Sequence, residues 1–329
     1  MLIDTFGRQI TYLRISVTDR CNLRCTYCMP PQGLAWMPHG AIMRYEEIAA
    51  FTRVAVEQGI NAVRITGGEP LVRADLPVLV KMLADIPGLQ DLSLTTNGTL
   101  LDRFAVPLVQ AGLKRINVSL DTLNPERFRR ITRGGKLEQV LKGIAAAERA
   151  GLAPIKINCV LMRGFNDDEI VELAELSKKH PWQVRFIELM PLQDEQIWEG
   201  DWNDLEKAFY PVSAALQTLQ PLGLAPVEGV SGSGPAQTYR FPDGRGTVGF
   251  ISPLSEVHFC QACNRMRLTA DGNLRPCLMK EIEVPLLEKM RAGSPALPLL
   301  EQAVALKPEK HPLAEDIHPA GRWMTQIGG

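Results

Sequence analysis

Short apolar runs alternate with helix-like stretches through the first two thirds of this 329-residue chain, and no other feature restricts its fold as strongly. The stretches between the runs carry apolar residues at helical spacing, as in LEQVLKGIAAAERAG at 137–151. Asn166 is predicted to cap the helix after the fifth run. Strand–helix alternation is typical of βαβ units in a parallel sheet. We therefore expect an α/β protein in which six units form an open or partial barrel, with a doubly wound sheet as the alternative. The runs are YLRISVT (12–18), AVRIT (62–66), LSLTT (92–96), RINVSL (115–120), IKINCV (155–160) and VRFIEL (184–189).

Most of these strand candidates have one polar face. Successive side chains of a strand point to opposite faces, so Leu13 and Ile15 share one face of the first run while Arg14 lies on the other. Lys156 is separated from Ile157 in the same way. Strands that are buried on both faces read as nearly continuous apolar runs, and these do not. The pattern predicts a sheet whose polar face holds a sizeable polar ligand. An antiparallel sheet with one solvated face is the alternative, which the intervening helices argue against.

The charge balance excludes several classes of partner. Lys and Arg total 36 against 37 Asp and Glu, so we expect neither a nucleic-acid binder nor a membrane-surface binder. The N-terminal sequence MLIDTFGRQI does not have the pattern of a signal peptide, and no apolar run is long enough to span a bilayer. We therefore expect a cytoplasmic protein, in which clustered cysteines are metal ligands or catalytic groups more often than disulfides.

Six of the seven cysteines form two triplets. Three thiolates with one open position suit an iron–sulfur cluster that keeps one iron free for a ligand. A structural zinc ion takes four ligands, so zinc is the alternative at each triplet, with His258 as a fourth ligand at the second. The remaining cysteine, Cys159, is predicted to be a small buried apolar residue. The triplets are Cys21, Cys25 and Cys28 (C-x3-C-x2-C) and Cys260, Cys263 and Cys277 (C-x2-C-x13-C).

The alternation of strand-like and helix-like stretches ends near residue 190. The segment 191–204 is acidic, aromatic and irregular, and the hairpin candidate QTYRFPDGRGTVGFIS follows at 237–252. The loop EGVSGSGPA (228–236) lacks the lysine of a phosphate-binding loop and is predicted to be a surface loop. We expect two domains, a barrel at 1–215 and a smaller, irregular α+β domain at 216–329.

Several motifs together resemble a known family. The first triplet, directly after the first strand and with Tyr27 before its last cysteine, resembles the radical S-adenosylmethionine signature. TGGEP at 66–70 agrees with it, because glycines allow close approach to a ligand and Glu69 is able to accept from an ammonium group. Over nearly its whole length the chain resembles the GTP 3′,8-cyclase family of molybdenum cofactor biosynthesis. The further motifs are LSLTTNG (92–98), INVSLDTL (116–123), FIELMP (186–191) and CNRMRLTADGNLRPCL (263–278).

The resemblance implies a fold, a reaction and partners. The fold would be a partial (β/α)6 TIM-like barrel with a C-terminal domain that binds GTP and a second iron–sulfur cluster and ends in a Gly-Gly tail. With two 4Fe-4S clusters and S-adenosyl-L-methionine, such a lyase converts GTP to (8S)-3′,8-cyclo-7,8-dihydroguanosine 5′-triphosphate through a 5′-deoxyadenosyl radical. The implied partners are an external one-electron reductant and a downstream cyclic pyranopterin monophosphate synthase, and a homodimer is compatible with the resemblance.

The resemblance also implies the role of individual residues, which we expect as follows. The two triplets would bind the clusters. Tyr27, Gly68, Glu69, Ser119 and Met190 would contact S-adenosylmethionine. Arg14, Arg64, Thr95, Lys156, Arg265, Met266 and Arg267 would bind GTP. Arg265, Arg267, Gly328 and Gly329 would act in catalysis, although by composition alone the two glycines would be a frayed terminus.

Two other functions remain as alternatives. A radical enzyme with an auxiliary cluster that modifies peptides is one, and the sequence RMR at 265–267 and the terminal Gly-Gly argue against it. A zinc-stabilised binding module on an α/β scaffold is the other, and it predicts a colourless protein without turnover.

Overall fold

The computed structural model describes residues 1–190, 205–227, 234–256, 258–311 and 321–328. The segment 191–204, most of the loop at 228–236 and Gly329 lie outside these residues. Twelve strands in the described ranges form one mixed sheet. The six predicted strands are β1 (Tyr12–Ser16), β2 (Ala62–Thr66), β3 (Asp91–Thr96), β4 (Arg115–Ser119), β5 (Ile155–Leu161) and β6 (Gln183–Glu188). The others are β7 (Ala225–Pro226), β8 (Gln237–Arg240), β9 (Thr247–Ile251), β10 (Arg265–Leu268), β11 (Asn273–Arg275) and β12 (Val284–Pro285).

The predicted strands pair in sequence order and all in parallel. β1 pairs with β2, β2 with β3, and so on to β5 with β6. A doubly wound sheet reverses its strand order at a switch point, and an antiparallel sheet alternates its direction. The observed pairing therefore excludes both alternatives and confirms the predicted parallel α/β arrangement.

Strands from the last third of the chain extend the sheet at both ends. β10 lies parallel to β1, and β9 lies parallel to β6. β11 and β12 continue beyond β10 in antiparallel pairing, and β8 and β7 do the same beyond β9. The C-terminal region thus shares the sheet of the six-stranded region, and the domain boundary at 215/216 stays a prediction.

Helices follow most of the strands. α4 (Pro125–Ile131) has Pro125 in its first turn, and the Asn124 side chain caps it by accepting from the backbone N–H of Glu126 at 2.9 Å. The helices are α1 (Tyr45–Glu57), α2 (Leu76–Ala84), α3 (Leu101–Gln110), α4 (Pro125–Ile131), α5 (Leu137–Arg149), α6 (Ile170–Lys179), α7 (Leu205–Ala208), α8 (Val212–Leu219), α9 (Leu286–Arg291), α10 (Ala296–Ala305) and α11 (Met324–Ile327). Short 3₁₀ helices span His39–Ala41, Pro70–Val72, Asp167–Glu169 and Gln220–Leu222.

The predicted cap at Asn166 is wrong. A 3₁₀ turn precedes α6, and the Asn166 side chain makes no capping hydrogen bond. Its amide instead donates to the carbonyl of Asp121 at 2.7 Å and accepts from the N–H of Met162 at 2.9 Å. The residue therefore ties the end of β4 to the end of β5, a long-range contact that competes successfully with a local cap.

The apolar face of the sheet packs into one large core, as the alternation predicts. Leu13, Ile15, Val63 and Ile65 are fully buried in this cluster, together with the inward faces of the helices. Cys159 is fully buried in it too, which confirms its predicted role as a small apolar residue. In the part of the chain that is described, no helix combines the length and the apolar character needed to cross a membrane.

Candidate functional site

A cavity of about 320 Å³ contacts both cysteine triplets. Its wall includes residues from the carboxyl ends of β2, β3, β4 and β6, where α/β sheets place their ligands. Two sets of cysteines that are far apart in sequence thus face one space. The cavity-lining residues that the sequence predicted are Arg14, Cys21, Cys25, Tyr27, Cys28, Arg64, Gly68, Thr95, Ser119, Met190, Cys260, Cys263, Arg265, Arg267 and Cys277.

The first triplet lies in the loop after β1 and is largely buried. The N–H of Cys28 donates to the carbonyl of Cys25 at 2.9 Å, and the Sγ of Cys21 accepts from the N–H of Leu23 at 3.4 Å. Burial raises the pKa of Cys21 to about 11 and raises those of Cys25 and Cys28 as well. Thiols of this kind become thiolates when a metal coordinates them. Three such thiols beside a cavity fit an iron–sulfur cluster with one open iron.

The two glycines of TGGEP allow the loop before Cys21 to approach β2. A Cβ on Gly68 would lie 2.2 Å from the carbonyl oxygen of Arg20, and a Cβ on Gly67 would lie 2.7 Å from that of Thr18. The N–H of Gly68 donates to the Thr18 carbonyl at 2.7 Å. The sequence suggested close approach to a ligand, whereas the described contacts show close approach to the cysteine-bearing loop itself.

Glu69 follows β2 and is hydrogen-bonded to the end of β3, and it does not line the cavity. Its carboxylate accepts from the N–H of Leu71 at 3.0 Å, from the hydroxyl of Thr96 at 2.7 Å and from the N–H of Asn97 at 2.6 Å. Burial raises its pKa to about 7 although these hydrogen bonds oppose the shift. Asn97 lines the cavity beside Cys21, and its hydrogen bond to Glu69 holds it there. Glu69 therefore acts on the cavity wall indirectly.

Tyr27 is held by Asp121, a residue that the sequence analysis missed. The Tyr27 hydroxyl donates to Oδ2 of Asp121 at 2.6 Å, and the N–H of Val160 donates to Oδ1 at 2.9 Å. Burial raises the pKa of Asp121 to about 6. The available signal was its position, two residues after Ser119 at the end of β4.

Three arginines lie side by side on the polar face of the sheet. Arg14 of β1 stands in register with Arg64 of β2 and with Arg267 of β10. Burial, followed by the charges of Arg267 and Arg64, lowers the pKa of Arg14 well below its usual value. Cations gathered in this way are costly unless an anion compensates them. The arrangement fits an anionic ligand.

Lys156 and Arg185 extend this positive region. Burial, then the charges of Arg185, Arg115 and Arg64, lower the pKa of Lys156 to about 7. Lys156 is buried beneath the cavity wall, whereas Arg185 lines the cavity. The sequence analysis missed Arg185, although an arginine inside the run VRFIEL carries the same signal as Arg14.

Several polar atoms beside this region have no hydrogen-bond partner among the described residues. Leaving a buried polar atom without a partner costs about 1–3 kcal/mol, so a ligand that satisfies these atoms gains affinity. The residues of the cavity wall thus fit a polar ligand. The atoms are Tyr12 Oη, Thr95 Oγ1, Asn158 Oδ1 and Arg185 Nε in the wall, and Arg115 Nη1 next to it.

The second triplet lies in a more positive setting than the first. Burial raises the pKa of Cys263, but the charges of Arg265 and Lys307 outweigh burial and bring it to about 6. The Sγ of Cys277 accepts from the N–H of Met279 at 3.4 Å. His258, considered as a zinc ligand, is exposed and does not line the cavity.

Neither triplet forms a site for a single ion. In the described ranges, no group of three or more His, Cys, Asp and Glu side chains is arranged to hold one metal ion. A 4Fe-4S cluster with one open iron takes one thiolate at each of its other three irons and does not need the sulfurs to meet at one point.

The C-terminal segment enters the cavity region. Gly328 is buried, its carbonyl accepts from Nη1 of Arg267, and a Cβ on it would lie 2.5 Å from Cγ2 of Thr66. Arg322 ties the segment to the β10–β11 turn through Asp271 at 2.8 Å and to Glu283 at 2.7 Å. The described part of the tail is therefore packed against the strand ends and is not frayed.

Met266 faces away from the cavity. It alternates with Arg265 and Arg267 on β10, so its side chain is fully buried in the apolar core. Only its backbone remains near the predicted ligand site.

Two family models match the chain. One, described as the Radical SAM superfamily, covers residues 15–177, and the other, described as Molybdenum Cofactor Synthesis C, covers residues 182–313. The chain is 49% identical to the GTP 3′,8-cyclase of Pelotomaculum thermopropionicum over 330 residues, covering 99% of each protein. It is 43% identical to the GTP 3′,8-cyclase of Listeria monocytogenes over 337 residues, covering 100% of this chain and 99% of the relative.

A solved structure supports the fold. Streptococcus suis SuiB bound to the precursor peptide SuiA matches 83% of this chain with a TM-score of 0.56 and 16% identity. The chain spans 60% of the length of that protein. At this identity the likeness concerns the fold alone, a radical S-adenosylmethionine α/β fold with a mixed sheet.

Proposed function

Because this chain belongs to the GTP 3′,8-cyclase family, we propose that it converts GTP to (8S)-3′,8-cyclo-7,8-dihydroguanosine 5′-triphosphate, the first step of molybdenum cofactor biosynthesis. One observation carries the proposal most directly. Both cysteine triplets face the same cavity as three in-register arginines, which supports a site where two clusters and a polyanionic substrate would meet. In reaction class the enzyme is a lyase.

The first triplet would hold a 4Fe-4S cluster and, at its open iron, S-adenosylmethionine. When bound, these groups supply hydrogen-atom abstraction from C3′ of the GTP ribose. Tyr27, Gly68, Ser119 and Met190 line the cavity and would contact S-adenosylmethionine. Glu69 would act on it through Asn97 and the strand ends. The described walls would exclude water from the reacting carbon.

Cys260, Cys263 and Cys277 would hold a second 4Fe-4S cluster, which would supply an open iron to bind the guanine. Arg265 and Arg267 alternate on β10 beside it and would orient the nucleotide. GTP carries about four negative charges at neutral pH. Arg14, Arg64 and Lys156 would bind the phosphates, and the orphan hydroxyl of Thr95 would donate to the substrate. Gly328 and Gly329 would act in catalysis.

The sheet and the partners complete the proposal. Six parallel strands in sequence order would curve into a partial barrel at 1–215, which the C-terminal region at 216–329 would close. We place the enzyme in the cytoplasm, with an external one-electron reductant and with a cyclic pyranopterin monophosphate synthase downstream; a homodimer is compatible with this. The likeness to SuiB concerns the fold alone, so we propose no peptide substrate.

Iron and sulfide analysis of protein purified without oxygen tests the proposal. We expect about eight irons per chain and the broad absorption of cysteine-ligated clusters. Changing the first triplet to alanine should remove about half of this iron, whereas the matched variant Cys159→Ala should keep all of it. The loaded enzyme should then convert GTP when S-adenosylmethionine and a reductant are added. Zinc in place of iron, or no product from fully loaded enzyme, contradicts the proposal.

A further inference from the structure

Lys307 is a buried lysine that the proposed reaction does not use. It follows α10 and is 3% exposed. No carboxylate in the described ranges forms an ion pair with it. A buried cation is costly unless an opposite charge compensates it. The position of Lys307 therefore raises the question of which negative charge it faces.

The ammonium group bridges the two chain segments that carry the second triplet. Its Nζ donates to the carbonyl of Arg265 at 2.8 Å and to the carbonyl of Pro276 at 2.8 Å. Arg265 lies two residues after Cys263, and Pro276 directly precedes Cys277. One side chain thus sets the separation between two of the three ligand positions.

The same two contacts place the ammonium charge beside the second triplet. The accepting carbonyls belong to Arg265, two residues after Cys263, and to Pro276, directly before Cys277. Thiolates that bind a cluster are negative charges, and the Lys307 ammonium would offset them.

Arg8 offers a comparison, because it also holds the triplet loop but its charge is paired. It donates to the carbonyl of Cys260 at 2.9 Å, so it too holds the triplet loop. Its charge, however, is matched by Asp4 at 2.6 Å. Among the residues that the structure describes, no carboxylate pairs with Lys307 in this way, so its charge stays unmatched beside the triplet.

We propose that Lys307 is a positioning residue for the second cluster, holding its two ligand segments together and offsetting the negative charge of the thiolates. The inference rests on the proposed function, since it requires a cluster at Cys260, Cys263 and Cys277. Charge near a cluster sets its reduction potential, and a neighbouring cation favours the reduced, more negative state. Lys307 therefore raises the potential of the second cluster.

The test isolates the second cluster by changing Cys21, Cys25 and Cys28 to alanine in the full chain. In this parent, Lys307→Met removes both the donors and the charge, and Lys307→Gln removes the charge but keeps an N–H donor. Lys289→Met is the matched control, because Lys289 is exposed on α9. The measurements are iron per chain, the potential from an EPR-monitored redox titration, and thermal unfolding.

We expect the parent and the Lys289→Met control to hold about four irons each. Lys307→Met should lose at least half of this iron. Lys307→Gln should keep more iron and shift the potential to a lower value. If Lys307→Met unfolds, Lys307→Gln still reports the potential.

Each contrary result has a distinct meaning. Unchanged iron in Lys307→Met refutes the bridging role, and an unchanged potential in Lys307→Gln refutes the charge role. A parent that binds zinc or no iron, with Lys307 intact, overturns the second cluster itself and the inference with it. That failure occurs before Lys307 is changed, so the two are distinguishable.

Discussion

Gly328→Ala tests whether the tail must pack against β2 for the enzyme to work. Gly328 has a φ of +77°, a conformation that costs an alanine about 1–2 kcal/mol. The new Cβ would lie 2.5 Å from Cγ2 of Thr66, about 1 Å closer than ordinary contact. Overpacking of this kind adds about 1–3 kcal/mol. The sum is at least ~2 kcal/mol, which lowers the equilibrium constant for docking of the tail about 30-fold or more.

Two assays report this loss. Product formation from GTP should fall by about the same factor, because the Arg267 contact to Gly328 is lost with the tail. Hydrogen–deuterium exchange of residues 323–328 should rise, and this readout does not depend on loaded clusters. Gly321→Ala is the matched control: Gly321 has a φ of +87° with no atom within 4 Å, so it carries the conformational cost alone.

A second substitution, at Thr66, separates the conformational cost of the positive φ from the steric cost of the new Cβ. Thr66→Ser removes Cγ2 and keeps the hydroxyl, so it should restore the steric part, about 1–3 kcal/mol, in combination with Gly328→Ala. Thr66→Ser alone should have a small effect. The reasoning is refuted if Gly328→Ala is no worse than Gly321→Ala, or if the double variant shows no recovery.

Three further results are expected. Burial and neighbouring arginines lower the pKa of Lys156 to about 7, and bound phosphate should raise it. GTP binding near about pH 8.5 should therefore be accompanied by uptake of a proton. Calorimetry in two buffers detects this uptake, and Lys156→Met should abolish it. Arg322→Ala removes charged hydrogen bonds worth about 1.5–3 kcal/mol. Hydrogen–deuterium exchange of the tail should therefore rise, and activity should fall, each at least about tenfold. Unchanged exchange contradicts the role of Arg322 as an anchor. Gly68→Ala places a Cβ 2.2 Å from the carbonyl of Arg20 and should remove the iron of the first triplet, while Gly40→Ala, with no atom within 4 Å, should retain it.

The central strands could be predicted because their signal is local. The period-two alternation of Leu13, Arg14 and Ile15 places charge on one face whatever the rest of the chain does. The pairing of β10 with β1 has no such signal, since it joins segments from opposite ends of the sequence. Periodicity identifies a strand but not its distant neighbour.

The candidate site divides in the same way. The spacing of the cysteines predicts both triplets, and the position of Arg14 inside a strand predicts that it lies on the polar face. Arg185 carried the same signal and was missed. Asp121 left only a positional signal and Lys307 left none, because each contacts residues that the fold brings to it, Tyr27 for the first and two carbonyls for the second.

The register of the arginines gives an energetic reason for a polyanionic ligand. Neighbouring strands are about 4.8 Å apart, so arginines in register on one face start from adjacent backbone positions and their charges repel one another. Burial lowers the pKa of Arg14, and its neighbours on each side, Arg267 and Arg64, lower it further. A single negative charge relieves only part of this repulsion, whereas a triphosphate places charge beside all three arginines. The polar face thus favours a nucleoside triphosphate over a nucleoside, and it does so through repulsion already present in the folded protein.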